Sequence, residues 1–190
     1  MGWDDNKGLT GIRLHCISLS NVLKGSFEDY TSVQSEVGSW GWWTDIKWCP
    51  CGFLTAFQLR VESSQLFGDD TAANNIMFRC TQEYLYGDGT LWGKWGDWSQ
   101  MCRGTGICGI KTRIEEPQGS GDDTALNDVR IFNCSREQVL EGDGRSRGEW
   151  SGWSQKCEGI GICGISTLRE GPQGNRNYSV LKNVRMYCCS

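Results

Sequence analysis

Apolar and polar residues alternate with a period of two in repeated stretches of the chain. In the first stretch Phe53, Thr55, Phe57, Leu59 and Val61 share one parity, while Gln58, Arg60 and Glu62 take the other. In the second, Ile110, Thr112 and Ile114 oppose Lys111, Arg113 and Glu115. This period is the signature of a strand with one buried face. Each run ends on a Glu with a Gln three residues later, as Glu62/Gln65, Glu115/Gln118 and Glu170/Gln173. No stretch shows a helical period for more than a turn.

The runs belong to a longer repeat. A tryptophan motif precedes each one: Trp40-Gly41-Trp42-Trp43-Thr44, Trp95-Gly96-Asp97-Trp98-Ser99 and Trp150-Ser151-Gly152-Trp153-Ser154, spaced 55 residues apart. An acidic turn follows the run, as Gly68-Asp69-Asp70-Thr71 and Gly121-Asp122-Asp123-Thr124, but the third copy reads Asn177-Tyr178-Ser179. Closing strands are expected at Asn75–Cys80, Asp128–Phe132 and Asn183–Cys189. Residues 1–16 read as the acidic turn and closing strand of a further copy, ending in Gly11-Ile12-Arg13-Leu14-His15-Cys16. The expected organisation is a partial repeat over 1–16 and units over 17–80, 81–134 and 135–190. Units this short cannot bury a hydrophobic face alone, so three must share one core. Three four-stranded sheets about a pseudo-threefold axis satisfy this, with a three-bladed propeller as an unusually small alternative.

Composition narrows the class. With 26 Gly, 10 Trp and only 3 Pro in 190 residues, the chain suits turns and short strands. The net charge of −4 is spread without blocks, which argues against a nucleic-acid partner. No apolar stretch approaches the ~20 residues that span a bilayer, and the first twenty residues lack the pattern of a signal peptide. Eleven cysteines point to an oxidising compartment. Zinc is disfavoured because the pairs are spaced CxC (Cys49/Cys51) or Cx5C (Cys102/Cys108, Cys157/Cys163), and His15 is the sole histidine. Cys49 to Cys80 and Cys157 to Cys188 are both 31 apart and Cys102 to Cys134 is 32 apart, so a bond within each unit is the simplest framework. Cys163–Cys189 would add one more. Cys16, Cys51 and Cys108 are left over, and an odd total leaves one outside any intramolecular bond.

The tryptophan motifs, the turn segments Gly68–Ile76 and Gly121–Asn127, and the terminal Cys188-Cys189 resemble the vitelline membrane outer layer protein family. The resemblance covers residues 34–190 and the 1–16 piece. It implies an all-β fold, the β-prism of the first type with three Greek-key four-stranded sheets. It also implies a secreted, extracellular protein in an egg coat or mucosal setting, with affinity for glycans or coat glycoproteins. The family has been associated with transfer between N-acetylglucosamine oligomers. This chain departs from the family in having three units plus a piece, its last two both resembling the family's third.

Several residues could carry such a function. Asp69, Asp70, Asp122 and Asp123, with Asn75 and Asn127 nearby and Glu62, Glu115 and Glu170 at strand ends, could gather at one end of the prism to bind sugar hydroxyls or Ca²⁺. The competing reading is that these groups cap backbone in their turns. A carboxylate pair could instead act as acid and base on a glycosidic bond, but near-equivalent repeated sites disfavour one asymmetric active centre. The expectation is a non-enzymatic coat component without a resident cofactor, with a carbohydrate-active enzyme as the alternative. Asn177 and Asn133 sit in N-glycosylation patterns. Residues 1–16 are expected to add an edge strand, in this molecule or in a second copy.

Overall fold

The computed structural model describes residues 9–15, 32–34, 42–50, 52–62, 73–89, 91, 93–102, 106–114, 126–133, 138–146, 148–157, 161–169 and 183–189. For 9–15, 132, 133, 169 and 183–189 it describes the backbone alone. The strands are β1 Leu9–His15, β2 Ser32–Gln34, β3 Trp42–Trp43, β4 Lys47–Trp48, β5 Ala56–Val61, β6 Ala73–Arg79 and β7 Tyr84–Tyr86. They continue with β8 Lys94–Trp95, β9 Ile107–Ile114, β10 Leu126–Asn133, β11 Val139–Glu141, β12 Glu149–Trp150, β13 Gly161–Arg169 and β14 Asn183–Cys189. The architecture is all-β, with no helix among the described residues.

Two sheets have four strands, in the orders β7-β6-β5-β8 and β11-β10-β9-β12. Three strands in succession are antiparallel neighbours and the fourth returns beside the first, which is a Greek key. The third sheet has six strands, with β13 at its centre. Three such sheets form the β-prism that the sequence implied. Their buried faces meet in one core, to which Leu54, Phe57, Leu59, Ile76 and Phe78 come from the first sheet and its approach. Ile107, Ile110, Val129 and Ile131 come from the second, and Ile162 and Ile165 from the third. Phe57 and Phe78 are cross-strand partners with ring centroids 6.1 Å apart.

The sheets are out of phase with the sequence repeat. Trp95 pairs with Arg60 of β5, Trp150 with Arg113 of β9, and Trp42 and Trp43 with Arg169 and Leu168 of β13. Each tryptophan motif therefore completes a sheet other than that of the run following it. The motif's extension runs on beside that partner. Gly96, Ser99 and Cys102 donate their N–H groups to the carbonyls of Leu59, Phe57 and Thr55. In the second sheet Ser151, Ser154 and Cys157 donate likewise to Thr112, Ile110 and Cys108. The hydroxyls of the motif join in: Ser99 Oγ accepts from Phe57 N and Ser154 Oγ from Ile110 N, both at 3.1 Å.

The third sheet contains the extra strand expected from residues 1–16. In the second sheet, β10 lies along β9 with Val129, Arg130, Ile131 and Phe132 opposite Thr112, Lys111, Ile110 and Gly109. β1 takes the same register on β13, with Ile12, Arg13, Leu14 and His15 opposite Thr167, Ser166, Ile165 and Gly164. β14 keeps only the lower part of that edge, pairing Tyr187 with Gly164, Cys188 with Ile162 and Cys189 with Gly161. Its front part runs parallel to β1 instead, with Asn183, Val184 and Arg185 opposite Gly11, Ile12 and Arg13. Two closing strands share one slot.

Deletion of residues 1–16 should leave the prism folded and let Asn183–Met186 move antiparallel onto Ile165–Leu168. Cross-strand NOEs between Val184 and Thr167 would report the move. Loss of the cooperative unfolding transition in the deletion variant would show instead that β1 is indispensable.

Candidate functional site

The acidic turns carrying Asp69, Asp70, Asp122 and Asp123, together with Glu115, Glu170 and Asn177, lie outside the described residues, as does Cys134. Asn133 lies at the end of β10, paired with Ile107. Glu62, Asn75 and Asn127 are all described and all buried. Asn75 Oδ1 accepts from Ile76 N at 2.8 Å and from Gly89 N at 3.3 Å, which pins the Gly87-Asp88-Gly89 turn. Asn127 offers its backbone carbonyl to Arg145 N at 2.6 Å, holding the matching turn Gly142-Asp143-Gly144. A Cβ on Gly144 would collide with that carbonyl, so the turn must approach as bare backbone. Glu62 likewise accepts through its carbonyl, from Arg145 Nη2 at 2.6 Å and Nε at 3.1 Å. These contacts tie the second sheet's turn to the first sheet. Lys47 does the same elsewhere, reaching Asp88 Oδ1 at 2.6 Å and the Tyr86 carbonyl at 2.9 Å.

Register shows that the partner of Asn75 is Asp128, since Arg60 faces Asn75 and Arg113 faces Asp128. The carboxyl of Asp128 accepts from Val129 N at 2.7 Å, as Asn75 does from Ile76. Burial pushes this carboxyl up to about 7. The Val129 N–H and the charges of Arg113 and Arg130 act against the shift, and Glu141 adds to it. The sequence set Asn75 and Asp128 at the heads of matching closing strands, and the register agrees, although the loop after the strand is two residues longer in the second copy.

The outer faces differ in chemistry. On the first sheet Tyr84 and Trp98 stack with centroids 5.5 Å apart. Tyr84, Tyr86 and Trp98 are 50%, 52% and 39% exposed. On the second sheet the Arg130 guanidinium lies 4.3 Å from the Trp150 ring centre, with Arg113 at 5.1 Å and Lys111 at 5.2 Å. Lys111 also lies 5.0 Å from Trp153. Sequence reasoning placed Lys111 and Arg113 on the polar parity but missed Arg130, which β10 brings opposite Lys111.

Cysteines follow the repeat in part. Cys49 and Cys80 form the expected disulfide, and Cys157 and Cys163 are each disulfide-bonded. Cys188 and Cys189, expected as their partners, are described in backbone only. Cys102 and Cys108 are buried thiols, and burial pushes Cys108 up to about 11, with Lys156 acting against the shift. Among the described residues no group of three or more His, Cys, Asp or Glu could hold a metal ion.

The family model of vitelline membrane outer layer protein I matches the chain twice, over residues 2–136 and again over 132–190. The chain belongs to the vitelline membrane outer layer protein I family. The human vitelline membrane outer layer protein 1 homolog is 51% identical over 132 residues, 68% of this chain and 62% of the relative. Its mouse counterpart is 47% identical over 134 residues, 69% and 63% respectively. The chain thus spans less than two thirds of the length of these relatives. The second match of the vitelline membrane outer layer family model falls on the stretch that supplies β11 to β14.

Because the folded carboxyl of Asp128 holds its proton more tightly than an unfolded one, its contribution favours folding at acid pH. That contribution is lost as pH rises from about 4 through about 7. Asp128→Asn should therefore stabilise the protein at pH 8, on the order of 1–3 kcal/mol, and have little effect near pH 4. Urea unfolding at both pH values checks this, and equal changes at the two would refute the assignment.

Proposed function

We propose that this protein is a secreted, non-catalytic component of an extracellular coat, of egg-envelope or mucosal type, that binds glycans or coat glycoproteins. The observation that carries the reading is a disulfide-tied prism of the vitelline membrane outer layer family that leaves an aromatic shelf of Tyr84, Tyr86 and Trp98 exposed. Aromatic faces stack on the apolar side of a pyranose, and a rigid scaffold holds them at little entropic cost. The acidic turns at Asp69, Asp70, Asp122 and Asp123 would supply hydroxyl acceptors or Ca²⁺ ligands in this reading, beside Glu115 and Glu170. Asn177 is the better glycosylation acceptor, since Asn133 adjoins Cys134. No helix among the described residues is long and apolar enough to cross a membrane.

A glycan array probed with the oxidised protein, in Ca²⁺ and in EDTA, tests the reading. Binding is expected, weakened by Trp98→Ala on the shelf or by Asp69→Asn and Asp122→Asn at the turns. Silence under both conditions refutes the glycan-binding role. Turnover of chitin oligosaccharides that disappears in either Asp variant would make the protein an enzyme and overturn the non-catalytic reading.

A further inference from the structure

The three central strands offer a comparison within one molecule. Register makes Lys111 and Arg113 of β9 equivalent to Gln58 and Arg60 of β5, and to Ser166 and Leu168 of β13. On the closing strands, Arg130 of the second sheet stands where the first has Met77. The outward side of the second sheet thus gathers Lys111, Arg113 and Arg130 around one tryptophan, where the first holds Arg60, 5.8 Å from Trp95, and Arg79 at the far end of its closing strand. This happens in a chain of net charge −4. These cations are balanced only in part: Glu141 pairs with Arg130 Nε at 2.7 Å and Asp128 stands opposite Arg113. Among the described residues Arg113 Nε is buried without a hydrogen-bond acceptor, and no ion pair holds Lys111.

We propose that this face, with Lys111, Arg113 and Arg130 set against Trp150 and Trp153, is a binding surface for sulfated glycans. Stacking against Trp150 fixes the cations in place, so little side-chain entropy is left to lose on binding an anion. A sulfate ester presents three oxygens in a tetrahedral array and can take donors from β9 and β10 together, whose axes lie about 4.8 Å apart. Trp153, 44% exposed and beside Lys111, offers ring surface to the sugar that bears the sulfate. The patch is two strands wide and lies on an acidic protein, which fits a local oxyanion on a saccharide better than the long phosphate track of a nucleic acid. The inference rests on the coat reading only in taking an extracellular polysaccharide as partner, and it uses a different face from the aromatic shelf and the acidic turns.

The test uses the full oxidised chain, immobilised and titrated with a heparin-derived octasaccharide. Its desulfated, re-acetylated counterpart, a hyaluronan octasaccharide and a single-stranded oligonucleotide serve as comparisons. Selective, salt-sensitive binding of the sulfated probe is expected. The double variant Lys111→Gln/Arg130→Met, which borrows the first sheet's own residues, should weaken it by about tenfold or more, the loss of at least one charge-assisted contact. Arg60→Gln on the first sheet should leave it unchanged. Trp153→Ala should weaken it with no change in salt dependence, which separates stacking from charge. Equal binding of the desulfated or hyaluronan probe, equal binding of the oligonucleotide, or an unaffected double variant that retains the wild-type unfolding transition overturns the proposal. Silence on the neutral array with retained sulfated binding sinks the shelf-and-turn reading alone, and the opposite pattern sinks this one alone.

Discussion

The structure depends on the lending of one short strand by each tryptophan motif to a sheet other than its own unit's. Without Trp95 and its extension, β5 would face water along an edge from Thr55 to Arg60, and the backbone carbonyls of Leu59, Phe57 and Thr55 would lose their donors. The same holds for β9 without Trp150, and for β13 without Trp42 and Trp43. A repeat cut out of this chain would carry a strand with no sheet to join and a sheet with an open edge, a form prone to aggregation. Cooperativity follows, because closing any one sheet orders the segment that leads into the next.

The shared core makes the same demand from inside. Phe57, Phe78, Ile110, Ile131 and Ile165 come from three sheets and are completely buried. No pair of sheets could cover them all. The polar ties between sheets are directional, with Arg145 reaching the Glu62 carbonyl, Lys47 reaching Asp88 and Asp88 N reaching the Thr167 hydroxyl. Cys49, hydrogen-bonded to Cys163 of the third sheet, is joined to Cys80 at the end of the first sheet's closing strand, so this disulfide too acts between sheets. The residues of the outer faces are under no such packing constraint and have diverged between copies.

Much of this was legible in the sequence. Alternation at Phe57-Gln58-Leu59-Arg60 and Ile110-Lys111-Thr112-Arg113 located the central strands and the faces they bury. Even spacing of the tryptophan motifs announced the repeat, and the equal separation of Cys49 from Cys80 and Cys157 from Cys188 proposed the bond that is seen in the first pair. The phase of the sheets was not legible, because a two-residue strand such as Lys94–Trp95 leaves no periodic trace and can pair forward or back. The equivalence of Asn75 with Asp128 was legible, since each stands seven residues after the glycine that opens its acidic turn, and the register agrees. Grouping of Arg130 with Lys111 needed that same register, because residues on different strands meet only through pairing.

Two closing strands on one edge of β13 raise a matter of timing. During synthesis β1 leaves the ribosome long before β13, whereas β14 is made only afterwards. When β13 emerges, the segment Ile12–His15 is already at hand and Val184–Tyr187 does not yet exist, so vectorial synthesis fills the upper edge with the earlier strand. Refolding from denaturant offers both at once, and the nearer in sequence, β14, then closes the shorter loop. The same polypeptide can therefore reach different strand occupancies by different histories, with the order of synthesis recorded in which of two related segments lies beside Gly164–Thr167.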